Sequence, residues 1–553
     1  MKIELHTPDG KIRHRYYSGT VRIKDIADSV QSELPYEILT ARVNRHSCRL
    51  SMEIHEDCML ELLDLRSSEA NMVYQASLKM LYLKAVHDVL GKDVQIVFNN
   101  SLSKGIFTII RKNNVTPEAC ARIEQRMHDL SADDFPFEEQ KLSREEFTAF
   151  ARAHKRLDQE HLAEYAPDLR EAKLFRLLDE EEISYEELVP DTSYLKLFEV
   201  RRYKNGVLLR FPHPSKPDEV PPFAEQPLLY GAFSEATRWD RIMGVNYAAD
   251  LNEMIADGEI NDLVLLSEAL HEKKIAEIAE MIHASGKRIV LIAGPSSSGK
   301  TTFAKRLCIQ LRVAGLRPLY LGTDDYFLER DETPVGPDGK KDFEGLAALD
   351  IDLFNTQMNA LLSGKKVDLP RFDFPSGKKV YGERITSIAD SQPVVIEGLH
   401  CLNPALTPYV PKEQKFLIYI SPLTQLNIDM HNRIPTTDAR MLRRIVRDAR
   451  FRNLDAAATI DMWPKVKHGE DNNIFPYNGN ADVFFNSSSL YELSILKKYA
   501  QPQLEAIDDS RPEYAEAQRL LRFLQFFRTM EDDSIIPNNS ILREFIGGSV
   551  IVH

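Results

Sequence analysis

The chain has 553 residues, 43% hydrophobic and 28% charged, and 70 Lys and Arg against 84 Asp and Glu leave a formal charge of −14. That length exceeds one ordinary domain and that composition supplies several cores, so about three to four units are expected and a dominantly disordered chain is excluded. An acidic chain repels a phosphate backbone unless it gathers a local basic patch, which argues against nonspecific nucleic-acid binding.

The opening stretch MKIELHTPDGKIRHRYY has no apolar run of signal-peptide length, and no later run is long and uncharged enough to span a bilayer. Cys48, Cys58, Cys120, Cys308 and Cys401 are scattered and never form CxxC. A cytoplasmic chain with reduced thiols and no membrane contact is the expectation. Residues 1–63 alternate apolar and polar positions in KIELHT and VRIKDI, turn at Pro8-Asp9-Gly10, and end in the short apolar strand CMLELLDL. Residues 64–225 continue with YQASLKMLYLKAVHDVLG, a helix with an apolar stripe, and with SKGIFTII. The Pro-rich FPHPSKPDEVPPF reads as a linker or a rigid connection. From Asn252 to His283 apolar residues recur at helical spacing, so 226–286 is expected to be a helical linker or brace. At the far end, YAEAQRLLRFLQFFRTM and SILREFIGG form a C-terminal helical segment, 511–553, whose aromatic stripe suits a core or a subunit contact.

Residues 287–510 carry the chemistry. A β-branched run over 288–293 reads as a buried parallel strand, and 301–311 places apolar residues at helical spacing. Between them Gly294-Pro-Ser-Ser-Ser-Gly299-Lys300-Thr301 fits GxxxxGK[ST], a loop whose backbone N–H groups cradle phosphates at a helix N-terminus. ATP is therefore expected on Gly294, Ser296, Ser297, Ser298, Gly299, Lys300, Thr301 and Thr302, with Lys300 at the β/γ-phosphates and the Thr301 hydroxyl on Mg²⁺. In LRPLYLGTDDYF a second strand, 317–321, ends at Asp324-Asp325, and a third, 393–396, ends at Glu397-Gly398. Strand C-termini of a doubly wound sheet face the ligand crevice, so the first pair offers a proton acceptor and Glu397 a metal position beside Thr301. DARMLRRIVRDARFR sets Arg440, Arg443, Arg444, Arg447 and Arg452 on one helix with few acids near them in sequence. In an acidic chain they read as a lid of cations over a transferring phosphoryl group rather than a solvated face. No NKxD guanine signature is present, and Glu397 lacks the preceding Asp of a motor-type strand.

These motifs resemble the uridine kinase and phosphoribulokinase branch of the P-loop kinases over 287–503. GPSSSGKTT resembles its Walker A segment, TDDYF its DSYY, DFEGLAALDIDLF its NFDHPDAFDFDLL, LPRFDF its PxYDF, and RRIVRDARFR its lid RRIxRDxxxR. The resemblance implies an α/β fold with a doubly wound parallel sheet and catalysis by Asp324 as base with Lys300, Arg444 and Arg447. It also implies a substrate pocket at Asp324, Tyr326, Phe343, Glu344, Phe372 and Phe374. Two positions depart from the pattern: the pyrimidine-contacting histidine of YDFxxH is Gly377, and an arginine of the lid's RGRD is Leu454.

The front half is similar to threonyl-tRNA synthetases: residues 1–63 to the TGS β-grasp module and 64–225 to the α+β second additional domain, the editing unit. Editing chemistry is not expected, because no two histidines lie four apart and His154 and His161 are seven apart. Residues 1–60 carry nine Lys and Arg against nine Asp and Glu, which favours regulation or self-association over tRNA binding. The expected function is ATP-dependent phosphorylation of a small-molecule hydroxyl, a nucleoside first, with another hydroxyl acceptor or an RNA-associated regulatory ATPase as the alternatives.

Overall fold

The computed structural model describes residues 1–552 except 113, 114, 337, 338, 340 and 425. The C-terminal half is built on five short parallel strands: β1 (Ile289–Ala293), β2 (Leu319–Gly322), β3 (Val394–Glu397), β4 (Lys415–Ser421) and β5 (Val483–Asn486). They lie in the order β2-β3-β1-β4-β5, all parallel. All five β1 residues are buried, as a central strand covered on both faces must be. Helix α1 (Lys300–Val313) leaves the end of β1 through the glycine loop, and α2 (Thr436–Phe451) and α3 (Ala456–Asn473) follow β4.

The front half opens with a five-stranded mixed sheet, in which Lys2–His6 runs parallel to Cys58–Asp64 and antiparallel to Ile12–Tyr16. Ile3 and Leu5 are fully buried while their neighbours are not, which is the outcome of the alternation in KIELHT. A 23-residue helix, Ser68–Leu90, then packs beside a four-stranded antiparallel sheet that contains Gln95–Leu102 and Gly105–Arg111. Among the described residues no helix is long and apolar enough to cross a membrane.

Three differences from the sequence reading matter. The brace is three helices, Pro227–Met243, Ala248–Asp257 and Ile260–Ser285; the long pattern breaks at Gly258, whose φ of +77° closes a helix end. The boundary expected at 225 coincides with no break in the core, because Leu142, Phe147, Leu162, Leu174 and Ile183 pack into one cluster with Val245, Leu251, Val290 and Ile292. His154 sits just past the end of helix Arg144–Ala153 while His161 lies in the next helix, Leu157–Tyr165, and they pair with acids, Glu181 at 3.4 Å and Glu253 at 3.2 Å respectively.

The halves are joined through residues 427–433, the loop between β4 and α2. The Met430 carbonyl accepts from Phe98 N–H at 3.1 Å, and the Asn432 amide donates to the Ile183 carbonyl at 3.1 Å. His431 pairs with Glu182 at 2.6 Å, and Tyr185 donates to Asp429 at 3.1 Å. Burial pushes the Glu182 carboxyl up, but Arg156 and His431 more than reverse this and bring it to about 2. The segment leading into the arginine helix is therefore held by the front half.

Candidate active site

The loop follows β1 because Gly294 and Gly299 permit what side chains would forbid. A Cβ on Gly294 would strike the Ile420 carbonyl, and Gly299 adopts φ +81° with Ile541 against it. Ser297 also sits at φ +59°. The hydroxyls of Ser297 and Ser298 are buried and have no hydrogen-bond partner, so the loop holds polar groups left unsatisfied by the protein. Lys300 Nζ donates to the Gly294 and Pro295 carbonyls at 2.9 and 3.1 Å.

Glu397 ends β3 beside the loop. Its Oε1 accepts from Thr301 Oγ1 at 2.9 Å and from the Tyr320 hydroxyl at 3.1 Å. Burial raises its carboxyl above the usual range, Lys300 opposes that, and Asp324 reinforces it. Two adjacent oxygen donors, one a carboxylate whose charge is poorly compensated, fit a hard divalent cation shared with phosphate oxygens. Among the described residues no group of three His, Cys, Asp or Glu side chains is arranged to hold a metal without such added ligands.

Asp324 follows β2 and is exposed. Crowding by the surrounding protein raises its carboxyl above the usual range; Lys300 lowers it, Asp325 raises it and Arg452 lowers it. Glu344 shares this field, raised by burial and lowered by Arg444. Asp325 faces elsewhere. One of its oxygens accepts from Phe372 N–H at 3.3 Å and the other pairs with Arg384 at 2.6 Å, which anchors the hairpin of Arg371–Asp373 and Lys378–Val380.

That hairpin brings together Phe372, buried, and Phe374, 57% exposed, while Phe343 is 40% exposed. Phe327 is the hub of the group: its ring centroid lies 5.9, 5.7 and 6.3 Å from those of Phe343, Phe372 and Phe374. Phe327 was missed by sequence reasoning, although its place directly after TDDY was a signal. Tyr326 corrects the expected substrate set. It is 1% exposed, donates to Gln357 at 2.8 Å and packs edge-on against Phe354, so it belongs to the core beneath the cleft. Gly377, at φ +69°, is covered by Arg330, which donates to the Phe374 carbonyl at 2.6 Å.

The arginine helix α2 is also corrected. Its guanidiniums do have acids near them, supplied by later elements: Arg440 pairs with Glu470 and Arg443 with Glu492, all four buried. Arg444 reaches the loop, donating to Ser296 Oγ at 2.7 Å. Arg447 instead grips Asp448 of its own helix at 2.8 Å, and Arg452 is half-exposed and acts on Asp324. The sequence reading also missed Tyr320 and Glu470; the latter accepts from the loop's Ser296 N–H at 2.8 Å.

Residues 289–494 match the Phosphoribulokinase / Uridine kinase family, so the chain carries a domain of that family. A uridine kinase of Chloroflexus aggregans is 28% identical over 201 residues, 36% of this chain and 85% of that protein. Over the N-terminal region the chain is similar to a threonine–tRNA ligase of Syntrophotalea carbinolica, 27% identical over 202 residues, 36% of this chain. The chain spans 31% of that ligase's length. A solved structure described as a possible uridine kinase from Bacillus stearothermophilus aligns at 20% identity over 38% of this chain and 97% of its own, with a TM-score of 0.27.

Proposed function

We propose that the chain transfers the γ-phosphoryl of ATP to a hydroxyl of a small molecule, with a nucleoside as the leading acceptor. One observation carries this reading. The cation Lys300 and the acids Asp324 and Glu397 leave the ends of three neighbouring parallel strands and share one electrostatic field at the mouth of the glycine loop. A nucleotide switch has no need of a carboxyl raised by its surroundings and aimed at open space. A transferase does, because such a group accepts a proton more readily.

In this reading the loop N–H groups and Lys300 hold the phosphates. Asp324 takes the proton from the acceptor hydroxyl; the acceptor oxygen bonds to the γ-phosphorus as the bond to the β–γ bridging oxygen breaks, and ADP leaves with those electrons. Arg444, already at the loop through Ser296, faces the charge on the equatorial oxygens. Magnesium held by Thr301 and Glu397 would supply further neutralisation of that charge. The aromatic wall of Phe327, Phe343, Phe372 and Phe374 suits a planar acceptor. A second reading, a non-nucleoside hydroxyl, is favoured by Arg330 lying across Gly377, where the family pattern has its base-reading histidine.

The test is acceptor-dependent ADP formation by the full chain with Mg·ATP over nucleosides, sugars and polyols, with Lys300→Ala as control. One acceptor class should stand out and the folded control should be at background. Undiminished turnover in folded Lys300→Ala, or no acceptor dependence, would refute the proposal.

A further inference from the structure

Thr302 lies in the first turn of α1, where backbone N–H groups have no helical partner and point at whatever the loop binds. In this structure that donor is taken. Glu544 Oε2 accepts from Thr302 N–H at 3.2 Å and from the Thr302 hydroxyl at 2.7 Å. The carboxylate arrives from the opposite end of the chain, on the short turn Arg543–Ile546.

The turn itself is fixed. Ile541, Leu542, Phe545 and Ile546 are buried, the Phe545 ring lies 5.0 Å from the Arg443 guanidinium, and Ser540 donates to Glu268 at 2.7 Å. The Glu544 side chain differs: it is only half-buried, and no cation among the described residues pairs with it within 4 Å. Glu470 offers the contrast, since it also accepts a loop N–H but is buried and neutralised by Arg440. One carboxylate is therefore part of the loop's wall, and the other is an unpaired anion resting on it.

A nucleotide seated on this loop needs the same N–H groups for its α- and β-phosphates. Two anions cannot share one donor at hydrogen-bond distance in a cleft of reduced dielectric. We propose that Glu544 is a resident anion that stands in for the nucleotide's α-phosphate and must swing away, its turn remaining in place, before nucleotide binds. The chain thus carries a built-in brake on its own nucleotide affinity. This rests on the phosphate-loop reading under Proposed function.

The experiment is a fluorescence titration of the full chain with mant-ADP and Mg²⁺, comparing wild type, Glu544→Gln, Glu544→Ala and Ser540→Ala, each checked for folding by thermal unfolding. Glu544→Gln, which keeps an acceptor and loses the charge, should tighten ADP binding about tenfold, and Glu544→Ala at least as much. Ser540→Ala loosens the same turn but keeps the carboxylate, so its affinity should match wild type. Equal or weaker ADP binding by folded Glu544→Gln overturns the brake while leaving the nucleotide site standing. A gain in Ser540→Ala as large as in Glu544→Gln also overturns it, because loosening alone then suffices. Absence of ADP binding in all four proteins overturns both the brake and the loop reading. If Glu544→Ala does not fold, Glu544→Gln decides.

Discussion

Replacing Asp324 by Asn separates the general-base role from every structural one. The amide keeps the shape of a side chain that is exposed and makes none of the core contacts of its neighbour Tyr326. Only proton acceptance and charge are lost. A positioned general base contributes roughly 10²–10⁴ in rate, which is about 2.7–5.4 kcal/mol at about 1.36 kcal/mol per tenfold. Asn also removes a negative charge close to Lys300, so nucleotide affinity should hold or improve, and the loss should fall on kcat. The pH profile gives a second readout. A carboxyl raised above its ordinary value is protonated, and useless as a base, at pH values where a free Asp is ionised. Wild-type activity should therefore be present at high pH and be lost as pH falls through that raised value, with the acid limb above the ordinary Asp range. The limb should vanish in Asp324→Asn. Asp325→Asn is the internal comparison: it can still accept from Phe372 N–H but loses the partly exposed pair with Arg384, worth about 0–1 kcal/mol. Its effect should be a few-fold rise in acceptor KM through a looser hairpin, with kcat nearly kept. An inactive Asp325→Asn beside an active Asp324→Asn would refute the assignment of roles. If neither loses activity, the general base is elsewhere and Glu397 is the acid to examine.

Two further outcomes concern the front half. Every residue assigned to phosphate or acceptor lies after position 287, yet cutting the chain to a fragment 226–553 strips Phe147, Leu162 and Ile183 from the shared core and frees the 427–433 loop. The fragment should melt lower and less cooperatively than the full chain and turn over more slowly, and a fragment with native melting and activity would show the front half to be dispensable. Glu182→Gln leaves the partly buried Arg156 and His431 without their anion, which should cost about 1–3 kcal/mol and lower the melting temperature. The sign with pH is specific: the depressed Glu182 contributes stability that is lost as pH falls toward 2, while the raised His431 contributes stability that is lost as pH rises above its elevated value. The wild type should thus be most stabilised by this pair between about pH 4.3 and 6.5, and a Glu182→Gln stability curve parallel to wild type at every pH would refute the pair's part in it.

What could be read beforehand followed how locally each feature is encoded. The glycine loop was legible because strand, turn and helix follow one another directly over residues 289–313, and Gly294 and Gly299 admit no other reading once a neighbouring strand and a positive φ require them. Asp324 and Glu397 were legible as well, since a short apolar run fixes where a strand ends and the sheet's topology decides which way that end faces. The arginine helix was only half legible. Six arginines within thirteen residues read as a lid of free cations until Glu470 and Glu492, supplied by later helices, pair with two of them in the interior. Tyr326 shows a finer limit: two positions after the exposed Asp324 the side chain is buried, because one turn of tight 3₁₀ helix rotates it into the core. Glu544 lay beyond any local pattern. A carboxylate reaches Thr302 across 242 positions of sequence, and nothing in SILREFIGG distinguishes an acid that caps a loop from one that faces solvent. The contacts that sequence missed share that property: each joins segments far apart in the chain, where periodicity and composition carry no information about who meets whom. On the proposal above, they are also the contacts that decide how freely the phosphate loop can be filled.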